Sequence, residues 1–302
     1  MSSVPLAPPG AARSPIDAQA PIGVFDSGVG GLSVLCHIRD SLPREHLVYV
    51  ADTAHAPYGG LAEAAIAARA LAIGAVLQQR GVKALVVACN TATAVAIAAL
   101  RTHYPSLLVI GVEPGLKPAA AQSRTGIVGV LATAATLGSS RFAALQNSVA
   151  AATGVRFLAQ PCPGLADCIE RGELPAPGML ALLEDFVAPL LEGGADTLVL
   201  GCTHYPFALP LIETVLVNRN RTDVSCIDTG AAVARQLARM LAEHGLLRPS
   251  VDGVAGQHAT GNAHRAAPAT VTGLSSGPPA DLEQAFARLL NWRVAVTPLG
   301  YD

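Results

Sequence analysis

Charge is what this sequence has least of. Only 14% of its 302 residues are Asp, Glu, Lys or Arg, while 51% are apolar. That excludes a disordered chain, which would be rich in charge and poor in apolar residues. It leaves a compact protein, long enough for one large or two modest α/β domains. Neither sign is in excess: 20 Lys+Arg stand against 22 Asp+Glu, for a net charge of −2. The electrostatic footprint of a nucleic-acid binder is therefore missing. Also missing is any apolar run approaching a membrane span. The richest stretch, Ala62 to Leu77, is interrupted by Glu63 and Arg69 and reads as a buried helix. The first twenty residues are Pro, Ala and Ser with Arg13 and Asp17, and lack the apolar core of a signal peptide. Residues 1–20 are expected to be a disordered extension, and the cytoplasm is the default location.

The six cysteines are Cys36, Cys89, Cys162, Cys168, Cys202 and Cys226, and no two form a C-x-x-C pair. Structural zinc and thioredoxin-like chemistry are not expected. Nor is a disulfide framework, in a chain of this size without a leader. Free thiols are the default, and the usual fate of a free thiol is to be a small buried hydrophobe.

What is present is alternation. Short Val/Ile-rich runs alternate with longer Ala/Leu-rich ones, the pattern of β-α units around a mainly parallel sheet. Strands are expected at 21–25, 46–51, 84–88 and 107–111, with helices at 30–42, 62–79 and 92–103. The same order then recurs, with strands at 126–131, 155–159, 196–200 and 224–227 and helices at 137–152, 178–191 and 207–217. The period is too long for a solenoid. The fold class expected is α/β, with two pseudo-symmetric parallel-sheet domains and the active site in the cleft between them. The first domain would comprise 21–114 plus 228–302, and the second 115–227. The tail carries a helix at 231–244 and a candidate at 281–291. Between them, 250–279 has little periodicity and is expected to pack onto the first domain with a poorly ordered middle.

In parallel sheets, ligands bind outside the carboxyl ends of the strands. Two strand-to-helix turns match there: Leu85-Val-Val-Ala-Cys89-Asn-Thr and Leu198-Val-Leu-Gly-Cys202-Thr-His. One cysteine could occupy such a turn by chance; two in equivalent places argue for function. A helix N-terminus favours thiolate, and a free thiol titrates near ~8.5, so modest help would ionise part of it. A thiolate on one side of a cleft could take a proton from a carbon while a thiol on the other side returns one. That is racemisation by two bases. A redox pair would instead need the sulfurs close enough to bond.

The loop Phe25-Asp-Ser-Gly-Val-Gly-Gly31 is not G-x-G-x-x-G, since Ser33 replaces the third Gly, and it has no P-loop Lys. Its glycines could offer N–H groups to a carboxylate, and Ser27 adds a hydroxyl. Asp26 reads as a helix cap or as a group near Cys89. Asn90, Thr91 and Thr203 are equally caps or substrate ligands. His204 could tune or share the Cys202 proton. Tyr58 and Gly59 leave the second strand at the right end of the sheet, whereas His55 reads as a surface histidine. Glu113-Pro-Gly and Asp228-Thr-Gly read as turns. Cys162 and Cys168 lie in the loop 161–170 and read as structural. Glu170 is the acidic residue of that loop expected to reach the cleft.

Gly23-Val-Phe-Asp-Ser-Gly-Val-Gly-Gly-Leu32, Ala88-Cys-Asn-Thr-Ala92 and Gly201-Cys-Thr-His-Tyr-Pro206 resemble bacterial glutamate racemase in order and spacing. Pro57-Tyr-Gly59, Gly111-Val-Glu-Pro-Gly115 and Ile227-Asp-Thr-Gly230 fit the same family, so the resemblance runs from about residue 21 to 245. It implies interconversion of L- and D-glutamate without pyridoxal phosphate or metal, to supply D-glutamate for peptidoglycan. It maps the catalytic thiols onto Cys89 and Cys202, assisted by Asp26 and His204. It maps substrate contacts onto Asp26, Ser27, Tyr58, Gly59, Asn90, Thr91, Thr203 and His204, with Glu170 as a further acidic position. Thr133 and Thr136 match a Gly-Thr-x-x-Thr pattern in which Ala132 replaces the glycine. A homodimer is expected. Ala51 stands where the family often has Gly, and Gly60-Leu-Ala-Glu replaces a basic residue and Ser after Tyr58-Gly59. Neither departure removes a catalytic group. The rivals are a relative acting on aspartate or a hydantoin, a non-catalytic binding protein on the same scaffold and, weakest, a thiol-redox protein.

Overall fold

The computed structural model describes residues 17–174, 176–249 and 269–300. The described residues form two all-parallel sheets. The first has the order β10-β9-β2-β1-β3-β4 and the second β6-β5-β7-β8. In the first lie β1 (Ile22–Asp26), β2 (Leu47–Ala51), β3 (Ala84–Val87), β4 (Leu108–Gly111), β9 (Val271–Ser275) and β10 (Val296–Pro298). In the second lie β5 (Ile127–Ala132), β6 (Arg156–Pro161), β7 (Thr197–Leu200) and β8 (Ser225–Ile227). Adding four to each label of 2-1-3-4 gives 6-5-7-8, so the duplication read from the sequence is also one of topology. Strands β1, β2, β3 and β7 are buried at every position. Such uninterrupted apolar runs belong to parallel strands covered on both faces.

Helices provide that cover. On one face of the first sheet pack α1 (Leu32–Ser41), α10 (Gly230–Glu243) and α11 (Pro279–Leu290); on the other pack α2 (Glu63–Gln79) and α3 (Asn90–His103). α2 buries Ile66, Ala70, Ile73 and Leu77, one stripe at helical spacing. The second sheet is covered by α7 (Leu165–Glu170), α8 (Met179–Glu192) and α9 (Leu209–Asn218) on one side, and by α4 (Leu116–Gln122) and α6 (Ser140–Thr153) on the other.

The structure corrects the sequence reading at several places. The helix expected at 137–152 is broken into α5 (Ala134–Gly138) and α6, because Thr133 caps the first and Ser139 the second through bonds from Thr136 N and Phe142 N. The loop 161–170 contains α7. The helix expected at 207–217 opens with a 3₁₀ turn, Tyr205–Ala208. The stretch 250–279 was read without periodicity, yet it ends in β9, which pairs with β2 from Leu47↔Val271 to Ala51↔Ser275. Residues 1–16 of the expected extension and the expected poorly ordered middle, 250–268, lie outside the described residues. Among the described residues no helix is long and apolar enough to cross a membrane.

Candidate active site

The carboxyl ends of β1, β3 and β7 carry Asp26, Cys89 and Cys202. Asp26 is fully buried. Its Oδ2 accepts from Gly28 N at 3.0 Å, while its Oδ1 has no partner among the described residues. It does not cap α1, whose first turn begins at Gly31 without a side-chain cap. Burial raises the Asp26 pKa, against the pull of nearby His204. The glycines that follow serve close approach. A Cβ on Gly30 would lie 2.3 Å from His204 Nδ1, and one on Gly28 would lie 2.4 Å from Glu170 Oε1. The loop after β1 thus presses against residues of the second sheet.

Cys89 is itself the cap of α3. Ala92 N donates to its sulfur at 3.4 Å, and Ser27 Oγ lies 3.6 Å away. Burial pushes the thiol up to about 12 and nearby Asp26 adds to this, with the Ala92 N–H and Ser27 only partly offsetting them. The easily ionised thiol expected at a helix N-terminus is therefore not what forms here; desolvation outweighs the dipole. Because sulfur takes the capping role, Asn90 is left free of it. Both polar atoms of its buried amide lack a partner among the described residues, a costly state unless a ligand meets them.

On the other side Cys202 Sγ lies 3.6 Å from His204 Nδ1, and His204 Nε2 lies 2.7 Å from Glu170 Oε2. Glu170, at the end of α7, also accepts from Val29 N at 3.2 and 3.0 Å. The N–H of the glycine-rich loop thus meets a carboxylate, but one from the protein. Burial opposes charge on His204, yet its bonds to Cys202 and Glu170 prevail and raise its pKa well above the ordinary value. Burial likewise opposes charge on Glu170, and the His204 and Val29 bonds prevail to lower its pKa. The Thr203 carbonyl accepts from Ser33 Oγ at 2.8 Å, tying this turn to α1.

The His204–Glu170 pair has a defined pH signature. The raised His204 contributes stability that is complete below about pH 6.5, the ordinary histidine value, and is lost as pH rises through the folded value. The lowered Glu170 contributes stability that is complete above about pH 4.3 and is lost as pH falls through its folded value. His204→Asn is therefore expected to lower the unfolding temperature most between those limits and least at alkaline pH. A gap between variant and parent that stays constant with pH would contradict the pairing.

The remaining expected contacts are placed less directly. The Tyr58 hydroxyl donates to Asp52 Oδ2 at 2.6 Å, so its side chain is committed to the protein. Gly59 is exposed, in a 3₁₀ turn whose backbone faces outward with no neighbour near an added Cβ. Thr91 is buried at the start of α3. Thr133 Oγ1 donates to Thr136 Oγ1 at 3.0 Å, and Thr136 shares with Asn90 a cavity of about 180 Å³. A larger cavity of about 460 Å³ opens beside Ser27, Val29, Pro57, Glu170, His204 and Arg288. His55 is exposed at the surface as expected, with Nδ1 3.1 Å from Asp52. Cys162 is buried and pushed up to about 12 by that burial.

Three supporting residues went unread in the sequence. Tyr49 OH donates to Gly28 O at 2.7 Å. A tyrosine in a fully buried apolar strand needs a partner for its hydroxyl, and that signal was available. In the sequence Ser33 marks only the place of an absent third glycine. Asp52 is held by Arg69 through bonds of 2.9 and 2.7 Å while it holds Tyr58. It follows β2 as Cys89 follows β3, which was also a usable signal.

The Asp/Glu/Hydantoin racemase family model matches residues 29–237. The glutamate racemase of Ectopseudomonas mendocina (strain ymp) is 56% identical over 230 residues, spanning 76% of this chain and 85% of that protein. Among solved structures, the glutamate racemase isoform RacE1 of Bacillus anthracis superposes with a TM-score of 0.78 at 28% identity, covering 94% of this chain and 98% of that one. The glutamate racemase of Thermus thermophilus, solved with beta-chloro-D-alanine, gives 0.74 at 34% identity, covering 94% and 98%.

Proposed function

The chain belongs to the Asp/Glu/Hydantoin racemase family, and we propose that its cleft works by proton transfer between Cys89 and Cys202. It is an isomerase that interconverts L- and D-glutamate, the family's route to D-glutamate for peptidoglycan. One observation supports the two-thiol reading above others. Equivalent turns of two sheets with one topology each end in a thiol, and a single loop links them. That loop puts Ser27 on Cys89 and Val29 on Glu170, which in turn holds His204 on Cys202.

In the proposed step a thiolate takes the Cα proton and the C–H electron pair passes into the substrate's carboxylate system. The opposite thiol then gives its proton to the other face of Cα and becomes the thiolate. The two sulfurs exchange protonation states, and the reverse reaction exchanges them back. His204, raised by its bonds to Cys202 and Glu170, lies 3.6 Å from Cys202 and is placed to exchange a proton with it. Asp26, raised by burial, can accept the proton that Cys89 releases. The unpartnered Asn90 amide and Asp26 Oδ1 are assigned to the substrate's carboxylate and ammonium groups. Ser27, Thr91, Thr133, Thr136, Thr203 and the Tyr58–Gly59 backbone complete the proposed binding set. The reading uses neither pyridoxal phosphate nor metal. It takes 21–114 with 228–302 and 115–227 as the domains, and a cytoplasmic homodimer as the working form.

The test is incubation with L- or D-glutamate in D₂O without added cofactor. Loss of the Cα proton signal and decay of optical rotation are expected together, from either enantiomer. Absence of exchange would sink the reading, and exchange with aspartate alone would move the chain to another branch of the family.

A further inference from the structure

We infer that Arg288 is a positioning residue for the Cys202 side of the site, acting through Glu170. Arg288 lies on α11, more than eighty residues after the last of the motifs around the thiols. α11 packs against α1, β9 and β10, with the first sheet. Its residues Asp281, Gln284 and Arg288 fall on one helical face and line the 460 Å³ cavity at the cleft mouth. From there Arg288 reaches the second sheet's layer. Its Nη2 donates to the Glu170 carbonyl at 3.2 Å, at the C-terminal end of α7. A cation there satisfies a carbonyl that the helix leaves unpaired.

The seat for the guanidinium is Gly172. This residue has φ +78°, and a Cβ on it would lie 2.7 Å from Arg288 Nη1 and 2.8 Å from Cζ. Only glycine leaves that space. The neighbouring cation, Arg171, is turned away to Glu173, with bonds of 2.8 and 2.7 Å. Arg288 therefore clamps the turn from which the Glu170 side chain extends to His204 and Val29. Its charge also favours the Glu170 carboxylate, behind the larger effects of burial, His204 and Val29. Glu170 holds His204, and His204 meets Cys202, so a slack α7 end would loosen the proton path first on that side.

This inference rests on the racemase reading, and the experiment keeps the two apart. Racemisation, and alkylation of each thiol by iodoacetamide followed by peptide mass spectrometry, are measured for the parent, Arg288→Ala, Arg288→Lys and Gly172→Ala. Arg288→Ala is expected to lower kcat about tenfold with KM nearly unchanged, the size of effect produced by a small misplacement of a catalytic group. The alkylation rate should change more at Cys202 than at Cys89. Arg288→Lys should recover part of kcat, and Gly172→Ala should reproduce the defect by displacing the guanidinium. A rise in KM at unchanged kcat would make Arg288 a substrate contact and overturn the inference. So would parental kinetics in Arg288→Ala, or equal changes at both thiols. An inactive parent would instead overturn the racemase reading.

Discussion

Cys89→Ser and Cys202→Ser are each expected to slow glutamate racemisation by about 10³-fold, within the range for loss of a positioned acid or base. The exchange of oxygen for sulfur is conservative for the fold. Serine can still accept from Ala92 N at position 89, and at either position it is one atom's exchange in a buried side chain. What is lost is the acidity and nucleophilicity of sulfur. Even the Cys89 thiol, pushed up to about 12 by burial, is a far better proton shuttle than a hydroxyl in the same place. Circular dichroism at constant enzyme concentration reads the rate, and thermal unfolding confirms the fold. If one variant keeps the parental rate, that thiol is only a packed side chain and the two-base scheme fails. Mixing the two variants adds a second check. Both turns belong to one chain, so mixed variants should remain inactive. Recovery on mixing would mean that a site is completed by a second copy.

Much of this site was legible because its signals are local. A strand that is apolar throughout, one small residue, a cysteine and a polar helix start can be read within eight residues, and it was there twice. The ends of the molecule were harder. β9, Val271–Ser275, contains a glycine and two hydroxyl residues. It becomes a strand because it meets β2, more than two hundred residues away, which no local periodicity records. α7 is only six residues long, and the Pro-Cys-Pro-Gly before it reads as a loop. Local sequence leaves capping open, because Asp, Asn and Thr are better caps than cysteine in general. In this fold the Cys89 sulfur takes that place, and Asn90 and Asp26 keep atoms unpartnered. The acidity of Cys89 is not legible in the sequence for a related reason. The helix dipole is written in the sequence, but the desolvation that outweighs it comes from the assembled fold. Arg288 carried no sequence signal, since its partner, Gly172, belongs to the other sheet's layer.

Lys83→Met is expected to destabilise the protein by about 3–5 kcal/mol, the cost of breaking a buried ion pair by removing one partner. Lys83 precedes β3 at the amino end of the strands, opposite the thiols. Its side chain is fully buried, and Glu45 is 2% exposed. Nζ lies 2.5 Å from Glu45 Oε2 and donates to Ala18 O at 2.7 Å, while Glu45 Oε1 accepts from Arg248 N at 2.9 Å. The pair therefore ties four separate segments together under the first sheet. Burial pushes the Lys83 ammonium below its ordinary range, and Glu45 pulls back only part of the way. The ammonium is thus held at a net electrostatic cost, so the pair itself is not a large source of stability. The penalty in Lys83→Met comes from Glu45, left buried with a single N–H. The double variant Lys83→Met/Glu45→Leu removes both charges and should recover most of the loss. Urea unfolding of parent, single and double variants measures the three stabilities. Activity per folded molecule should stay at the parental level, because the pair lies at the far end of the sheet from Cys89 and Cys202. A single variant as stable as the parent would show that the carboxylate finds water or another donor. A double variant no better than the single would place the cost in lost packing, not in the stranded charge.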